Sequence, residues 1–156
     1  MPHFDRDHFP IQHSIGHLIA LTNQLKERLV ERQVAEHDLT AAQFKIIMLV
    51  SQGRASTSTE LVRILNLDSG AMTRMLDRLE AKQLITRERS HVDRRQLQIL
   101  LTERGQALGR LVPAIAADTA NELTGCLTRE ELSEFERLLK KILVAAEALP
   151  PIQGEA

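Results

Sequence analysis

The stretch SGAMTRMLDRLEAKQLITRERSHVDRRQLQILLTERG, Ser69 to Gly105, holds seven arginines in a chain whose 156 residues sum to a net charge of −1. Its hydrophobic period changes partway along. From Ser69 to Lys82, Met72, Met75, Leu76 and Leu79 fall on one side at 100° per residue, which predicts an amphipathic helix. Beyond it, LITRER and QLQILL are short apolar-polar runs separated by SHVDRR. Leu97, Ile99 and Leu101 alternate with Gln96, Gln98 and Leu100, the pattern of a half-buried strand. A helix followed by a β-hairpin is therefore expected.

Upstream, Ser58 to Leu65 reads as a short helix, joined to the one at Ser69 by Asn66-Leu67-Asp68. Two short helices with a turn of this length make a helix-turn-helix. Helix starts are marked by Thr40-Ala-Ala-Gln43, Thr57-Ser-Thr-Glu60 and Thr128-Arg-Glu-Glu131. In each, a hydroxyl can accept the third residue's N–H while that residue's side chain reaches back. Thr102 opens a further helix. Six helices follow from these signals: Ile11 to Glu36, Ala41 to Gln52 with Gly53 closing it, Ser58 to Leu65, Ser69 to Lys82, Glu103 to Cys126 with a bend at Pro113, and Arg129 to Leu149, stopped by Pro150-Pro151. The tail PPIQGEA is expected to be disordered. The predicted fold class is mainly α with a small β-hairpin wing: a winged helix-turn-helix lobe beside a helical lobe.

Composition narrows the function. With 43% hydrophobic and 26% charged residues the chain is globular. No apolar run is long enough for a membrane helix, and the polar start MPHFDRDHFP lacks the apolar centre of a signal peptide. A single cysteine, Cys126, excludes an internal disulfide and fits a reducing cytoplasm. Aromatics are 3%, without Trp or Tyr, which argues against stacking of single-stranded bases. No nucleophile–base set, phosphate loop or paired carboxylate motif suggests an enzyme. Charge is segregated: between Ser69 and Arg95 seven cationic side chains face four acids, whereas between Asp118 and Arg137 two face six.

The face of the Ser69–Lys82 helix opposite its apolar side presents Ser69, Gly70, Thr73 and Arg74, with Arg78 flanking. Small residues let a backbone approach the floor of the major groove, arginine can take guanine O6 and N7 together, and threonine can meet a base edge or a thymine methyl. The competing explanation pairs Arg74 and Arg78 with Asp77 or Glu80 as surface ion pairs. In the hairpin, Asp93-Arg94-Arg95 stands at the tip or the return. There a carboxylate can bond nearby N–H groups and hold an arginine in one rotamer, so that Asp93 would position Arg95. A loop presenting Arg94 and Arg95 beside such a helix suits the negative potential of a minor groove. Double-stranded DNA is the expected partner.

The segment DRRQLQILLTERG resembles the D-x-R-x-x-x-[apolar]-x-L-T-x-x-G signature of the MarR family of winged helix-turn-helix transcriptional regulators, with Asp93, Arg95, Ile99, Leu101, Thr102 and Gly105 in its positions. LTAAQFKIIMLV, LDSGAMTRMLDRLEAKQLI and LTREELSEFERLLKKIL resemble the family in the same order, from about Ile15 to Leu143. The resemblance implies one domain over residues 1–156, with dimerisation helices at 1–36 and 103–149 and a winged-helix lobe at 37–102. It implies a homodimer gripping a pseudopalindrome. The stripes Leu132, Phe135, Leu139, Ile142, Ala146 and Leu108, Leu111, Ile115, Leu123 fit that expectation, since a lone chain would leave them partly bare.

The resemblance also implies a repressor released by a small aromatic carboxylate or phenol held between the first helix and the DNA lobe. Leu18, Leu21 and Phe44 would be apolar walls there, with His13, His17 and Arg87 as polar anchors. His13 and His17 stand one helical turn apart, a zinc-binding spacing, but two ligands are too few; no metal and no cofactor is expected. The peroxide-sensing members' cysteine early in helix one is absent, and Ala81 stands where another member has cysteine. Cys126 reads as a small core or boundary residue. The alternatives to a ligand-responsive regulator are a metal- or redox-responsive one on the same fold, and a dimeric interaction module without DNA binding.

Overall fold

The computed structural model describes residues 3–5, 7–89 and 97–148. Two compact units are present, Met1–Thr119 and Ala120–Ala156. In the first, a 3₁₀ turn at Ile11–His13 precedes α1 (Ile15–Val34), then come α2 (Ala41–Ser51), α3 (Ser58–Leu65), α4 (Ser69–Ala81), β1 (Ile85–Arg89), β2 (Leu97–Leu101) and α5 (Glu103–Thr124), whose last turn lies in the second unit with α6 (Arg129–Ala145). This is the mainly helical fold with one antiparallel hairpin that the sequence predicts.

All three predicted capping boxes form, with Thr40, Thr57 and Thr128 accepting from the backbone of Gln43, Glu60 and Glu131, whose side chains accept in return. One start differs from expectation. The first helix begins at Ile15 and not Ile11, because Ser14 is extended and its Oγ accepts the His17 N–H at 3.2 Å, making it a cap. Asp68, the last residue of the expected turn, caps α4 by accepting from Ala71 at 2.8 Å.

The ends that follow α1, α2, α3, α4 and α6 share one pattern. Asp38, Gly53, Asn66, Gln83 and Glu147 have φ between 50° and 65°, and the residue after each returns its N–H to a carbonyl five residues back at 2.9–3.3 Å. Only Gly53 announces such an end in the sequence. The Glu147 closure ends α6 at Ala145, short of the predicted Leu149, and residues 149–156, with the tail expected to be disordered, lie outside the described residues. α5 runs through Pro113 and ends at Thr124, two residues before Cys126.

Gln83 is exposed with a left-handed φ of 57°, a conformation costing a non-glycine residue about 1–2 kcal/mol. Gln83→Gly is therefore expected to stabilise the chain by about 1 kcal/mol, net of glycine's greater unfolded-state freedom. That corresponds to a rise of roughly 2–4 °C in Tm. Ala81→Gly, two residues earlier in right-handed helix, is expected to lose about 1 kcal/mol. Thermal denaturation of both variants checks the signs; a destabilised Gln83→Gly would contradict the strain argument.

The core of the first unit gathers Ile46, Ile47 and Leu49 of α2, Leu61 of α3, Met72, Leu76 and Leu79 of α4, and Ile85 and Ile99 of the hairpin, with Val34, Leu84 and Val112 around them. α2 is apolar on nearly every side because it is covered on nearly every side. The hairpin pairs Ile85 with Leu101, Arg87 with Ile99 and Arg89 with Leu97. Only part of the predicted alternation is buried: Ile99 is 2% exposed, while Leu97 is 53% exposed. Both point to the same side of the sheet, but Leu97 pairs at the end remote from α5, past the reach of the core. A further bond from Ile99 N–H to the Ser56 carbonyl, 2.8 Å, and a bridge between Thr57 and Gln98 bring the segment before α3 against the far edge of β2. The second unit holds the end of α5 and α6, and α6 buries none of its residues.

Candidate nucleic-acid interface

α4 divides as its sequence predicts. Met72, Leu76 and Leu79 are buried, and Ser69, Gly70, Thr73, Arg74, Asp77, Arg78 and Ala81 are exposed. Thr73 Oγ1 donates to the Ser69 carbonyl at 2.9 Å, so the hydroxyl proton of this exposed residue is used within the helix. The Arg74 guanidinium folds back over Gly70: a Cβ built on Gly70 would stand 3.3 Å from its Nη1 and 3.1 Å from Asp68 Oδ1. Glycine here keeps the first turn open and lets the arginine lie close to the helix N-terminus.

The acids that could have neutralised Arg74 and Arg78 are taken by another residue. Arg87 of β1 donates to Asp77 Oδ1 at 2.5 Å and to Glu80 Oε2 at 2.5 and 3.0 Å. The side-chain parity of β1 explains it. Arg87 points to the same side as Ile85, toward α4, but lies past the edge of the apolar core, so its guanidinium meets α4's carboxylates. Glu80 first, then Asp77, raise the Arg87 pKa above its usual value. Among the described residues Arg74 and Arg78 have no ion-pair partner, leaving two cations on the exposed face.

The helix before it is fixed as firmly. Glu60 Oε2 accepts from the N–H groups of Ser56 at 2.7 Å and Thr57 at 3.0 Å. The bond from Ser56 is the main reason its carboxyl lies below the usual range. The signature residues Thr102 and Gly105 act as a structural pair. Thr102 Oγ1 donates to the Gln83 carbonyl at 2.7 Å and accepts the Gly105 N–H at 3.1 Å. Gly105 lies so close to the Leu84 carbonyl that a Cβ there would be 2.0 Å from its oxygen. The signature thus seats α5 on the end of α4. Sequence reasoning missed the Arg87 clamp because its partners lie seven and ten residues away, with no local spacing rule joining strand to helix.

Asp93, Arg94 and Arg95 lie outside the described residues. Of the predicted ligand residues, His13 sits in the 3₁₀ turn and His17 in the first turn of α1, both exposed. Phe44 is a core side chain, 5% exposed, and Arg87 is held by its two acids. Among the described residues no three His, Cys, Asp or Glu side chains gather to hold a metal, and no helix is long and apolar enough to cross a membrane.

Comparison with known proteins places this arrangement. Residues 39–97 match the model of the MarR family. The chain is 38% identical over 130 residues to the multiple antibiotic resistance protein MarR of Escherichia coli, covering 83% of this chain and 90% of that one. A mutant of Escherichia coli MarR, solved in complex with operator DNA, superposes with a TM-score of 0.73 at 37% identity, covering 87% of this chain and 99% of its own. A MarR family protein of Mycobacterium tuberculosis, solved with salicylic acid, gives a TM-score of 0.69 at 27% identity, covering 83% of this chain and 96% of its own. A winged helix-turn-helix whose α4 shows a polar, arginine-bearing face, and identity extending over most of the chain, lead to one conclusion: this chain belongs to the MarR family of transcriptional regulators.

Proposed function

We propose that the chain is a homodimeric, sequence-specific repressor that leaves a pseudopalindromic DNA operator when a small aromatic or phenolic acid binds. The observation that carries the reading is the exposed face of α4, with Ser69, Gly70, Thr73, Arg74 and Arg78 outward on a helix anchored by three buried side chains. The operator complex of a 37% identical relative supports it. In this reading α4 enters the major groove, Arg94 and Arg95 enter the adjacent minor groove, and Asp93 positions Arg95. A second copy covers the bare apolar faces: Ile15, Leu18, Ile19 and Leu25 on α1, and Phe135, Leu138, Ile142 and Leu143 on α6, are each at least 41% exposed. Twofold symmetry then sets half-sites about 10 bp apart. The test is selection of binding sites from a random duplex library. An enriched pseudopalindrome, bound by a dimer and weakened steeply by salt, is expected; no enrichment by a folded protein would overturn the reading.

The effector proposal draws on the salicylic acid complex of the 27% identical relative. His13 in the 3₁₀ turn and His17 on α1 would meet the acid first. Arg87 joins only by exchanging Asp77 and Glu80 for the ligand's carboxylate, which would loosen the tie between β1 and α4. Phe44, with Leu18 and Leu21, would supply the apolar side. Calorimetry with salicylate should then show affinity falling about tenfold when the selected DNA is bound, a coupling of about 1.4 kcal/mol. Equal affinities, or an unchanged response in a His17→Ala, Arg87→Ala double variant, would remove this effector site and leave the DNA reading standing.

A further inference from the structure

The C-terminal end of α4 is held from two directions. Lys82, just past the helix, sends its Nζ to the backbone carbonyl of Asp38, with the Asp38 carboxylate at 3.2 Å and Gln43 Oε1 at 3.5 Å. Asp38 is the left-handed residue in the link between α1 and α2. The start of α2, just past that link, is tied to α1, since Glu31 of α1 accepts the N–H of Ala41 and Glu27 pairs with Lys45 at 2.7 Å. From the other side, Arg104 of α5 donates to the Lys82 carbonyl at 3.3 Å. The end of α4 is thus bonded both to the segment that follows α1 and to the start of α5.

We infer that this end is a joint through which the positions of α1 and α5 set the angle of α4, and that Lys82 is its positioning residue. The inference rests on the DNA-binding reading above and adds a residue to it. A helix entering a groove must present several side chains to base edges at once. A pivot at its far end therefore displaces the Ser69–Arg74 turn most, because that turn is farthest from the pivot. Phosphate attraction tolerates such a pivot; base readout does not. Lys82 is suited to the task because its ammonium carries three donors, which meet three acceptors on the α1–α2 link and the start of α2. Its stem is largely covered, with the side chain 28% exposed.

The test compares wild type, Lys82→Met and Asp38→Asn on a duplex selected by the wild-type chain and on a scrambled duplex of equal length. Lys82→Met keeps the apolar stem and removes the donors. It is expected to bind the selected duplex about tenfold more weakly and the scrambled one within twofold, with an unchanged salt slope, because non-specific affinity comes from phosphate charge. Asp38→Asn tolerates the left-handed backbone and removes a negative charge; it is expected to weaken selected binding two- to threefold, where charge repulsion alone predicts tighter binding. Lys82→Arg is expected to recover part of the discrimination. If Lys82→Met loses affinity equally on both duplexes with a shallower salt slope, Lys82 contacts phosphate and the joint is overturned. The joint is likewise overturned if Lys82→Met lowers Tm yet leaves discrimination intact. A wild-type chain that fails to discriminate at all overturns the DNA reading as well, and so is told apart from failure of the joint alone.

Discussion

Gly105→Ala is expected to destabilise the protein by about 3 kcal/mol or more, at the severe end for a single added methyl in a packed site. At the scale for a chain of this length, that lowers Tm by roughly 6–12 °C. The cause is a position fixed on every side. A Cβ on Gly105 would lie 2.0 Å from the Leu84 carbonyl oxygen and 3.3 Å from Leu101 Cβ. The carbonyl cannot withdraw without cost, because it accepts the Thr102 N–H at 3.1 Å and belongs to a residue only 1% exposed whose own N–H bonds Leu79. Gly53→Ala is the contrast. It adds a Cβ in open space at a φ of 65°, so it meets conformational strain alone, about 1 kcal/mol. Thermal denaturation at one fixed protein concentration, since any dimer makes Tm concentration-dependent, should rank the two variants far apart. A Gly105→Ala protein as stable as Gly53→Ala would mean that α5 shifts off α4 at little cost, and the account of the signature glycine would fail.

Arg74→Ala is expected to cost about 1–3 kcal/mol of binding to a selected duplex, the range for a lost bidentate base contact. That is roughly a five- to 150-fold loss. Preference at one base position should relax while the fold stays intact: Arg74 is exposed, Asp77 and Glu80 are paired elsewhere, and alanine is the best helix former. Repeating the site selection with the variant reads this directly. A uniform loss across all sequences, with the salt slope reduced by about one, would assign Arg74 to phosphate and leave base readout to its neighbours.

Much of the architecture was legible along the chain because it depends on near neighbours. The capping boxes join residues three apart, and the division of α4 into a buried and an exposed face is a matter of 3.6-residue period. The change of period after Lys82 announced the hairpin. Helix ends were less legible: Asp38, Asn66, Gln83 and Glu147 adopt a left-handed conformation with no glycine to announce it. The pull there comes from the returning N–H and from the buried residue that follows, such as Leu39 or Leu84. Leu97 was expected on a half-buried strand and is exposed, because alternation gives a residue's side of the sheet and not how far the core extends beneath it.

The sequence by itself determined the order and kind of the elements, the apolar side of the helix-turn-helix, the polar face of α4 and the membership of the MarR family, all carried by local spacing and by motif. Tertiary structure alone decided which charges on that face are spent and which remain. Arg87 reaches back from β1 to take Asp77 and Glu80, and Lys82 crosses 44 residues of chain to the Asp38 backbone. The physical reason is that an ion pair or a carbonyl contact forms wherever packing places donor beside acceptor, and packing brings together residues that no spacing along the chain connects.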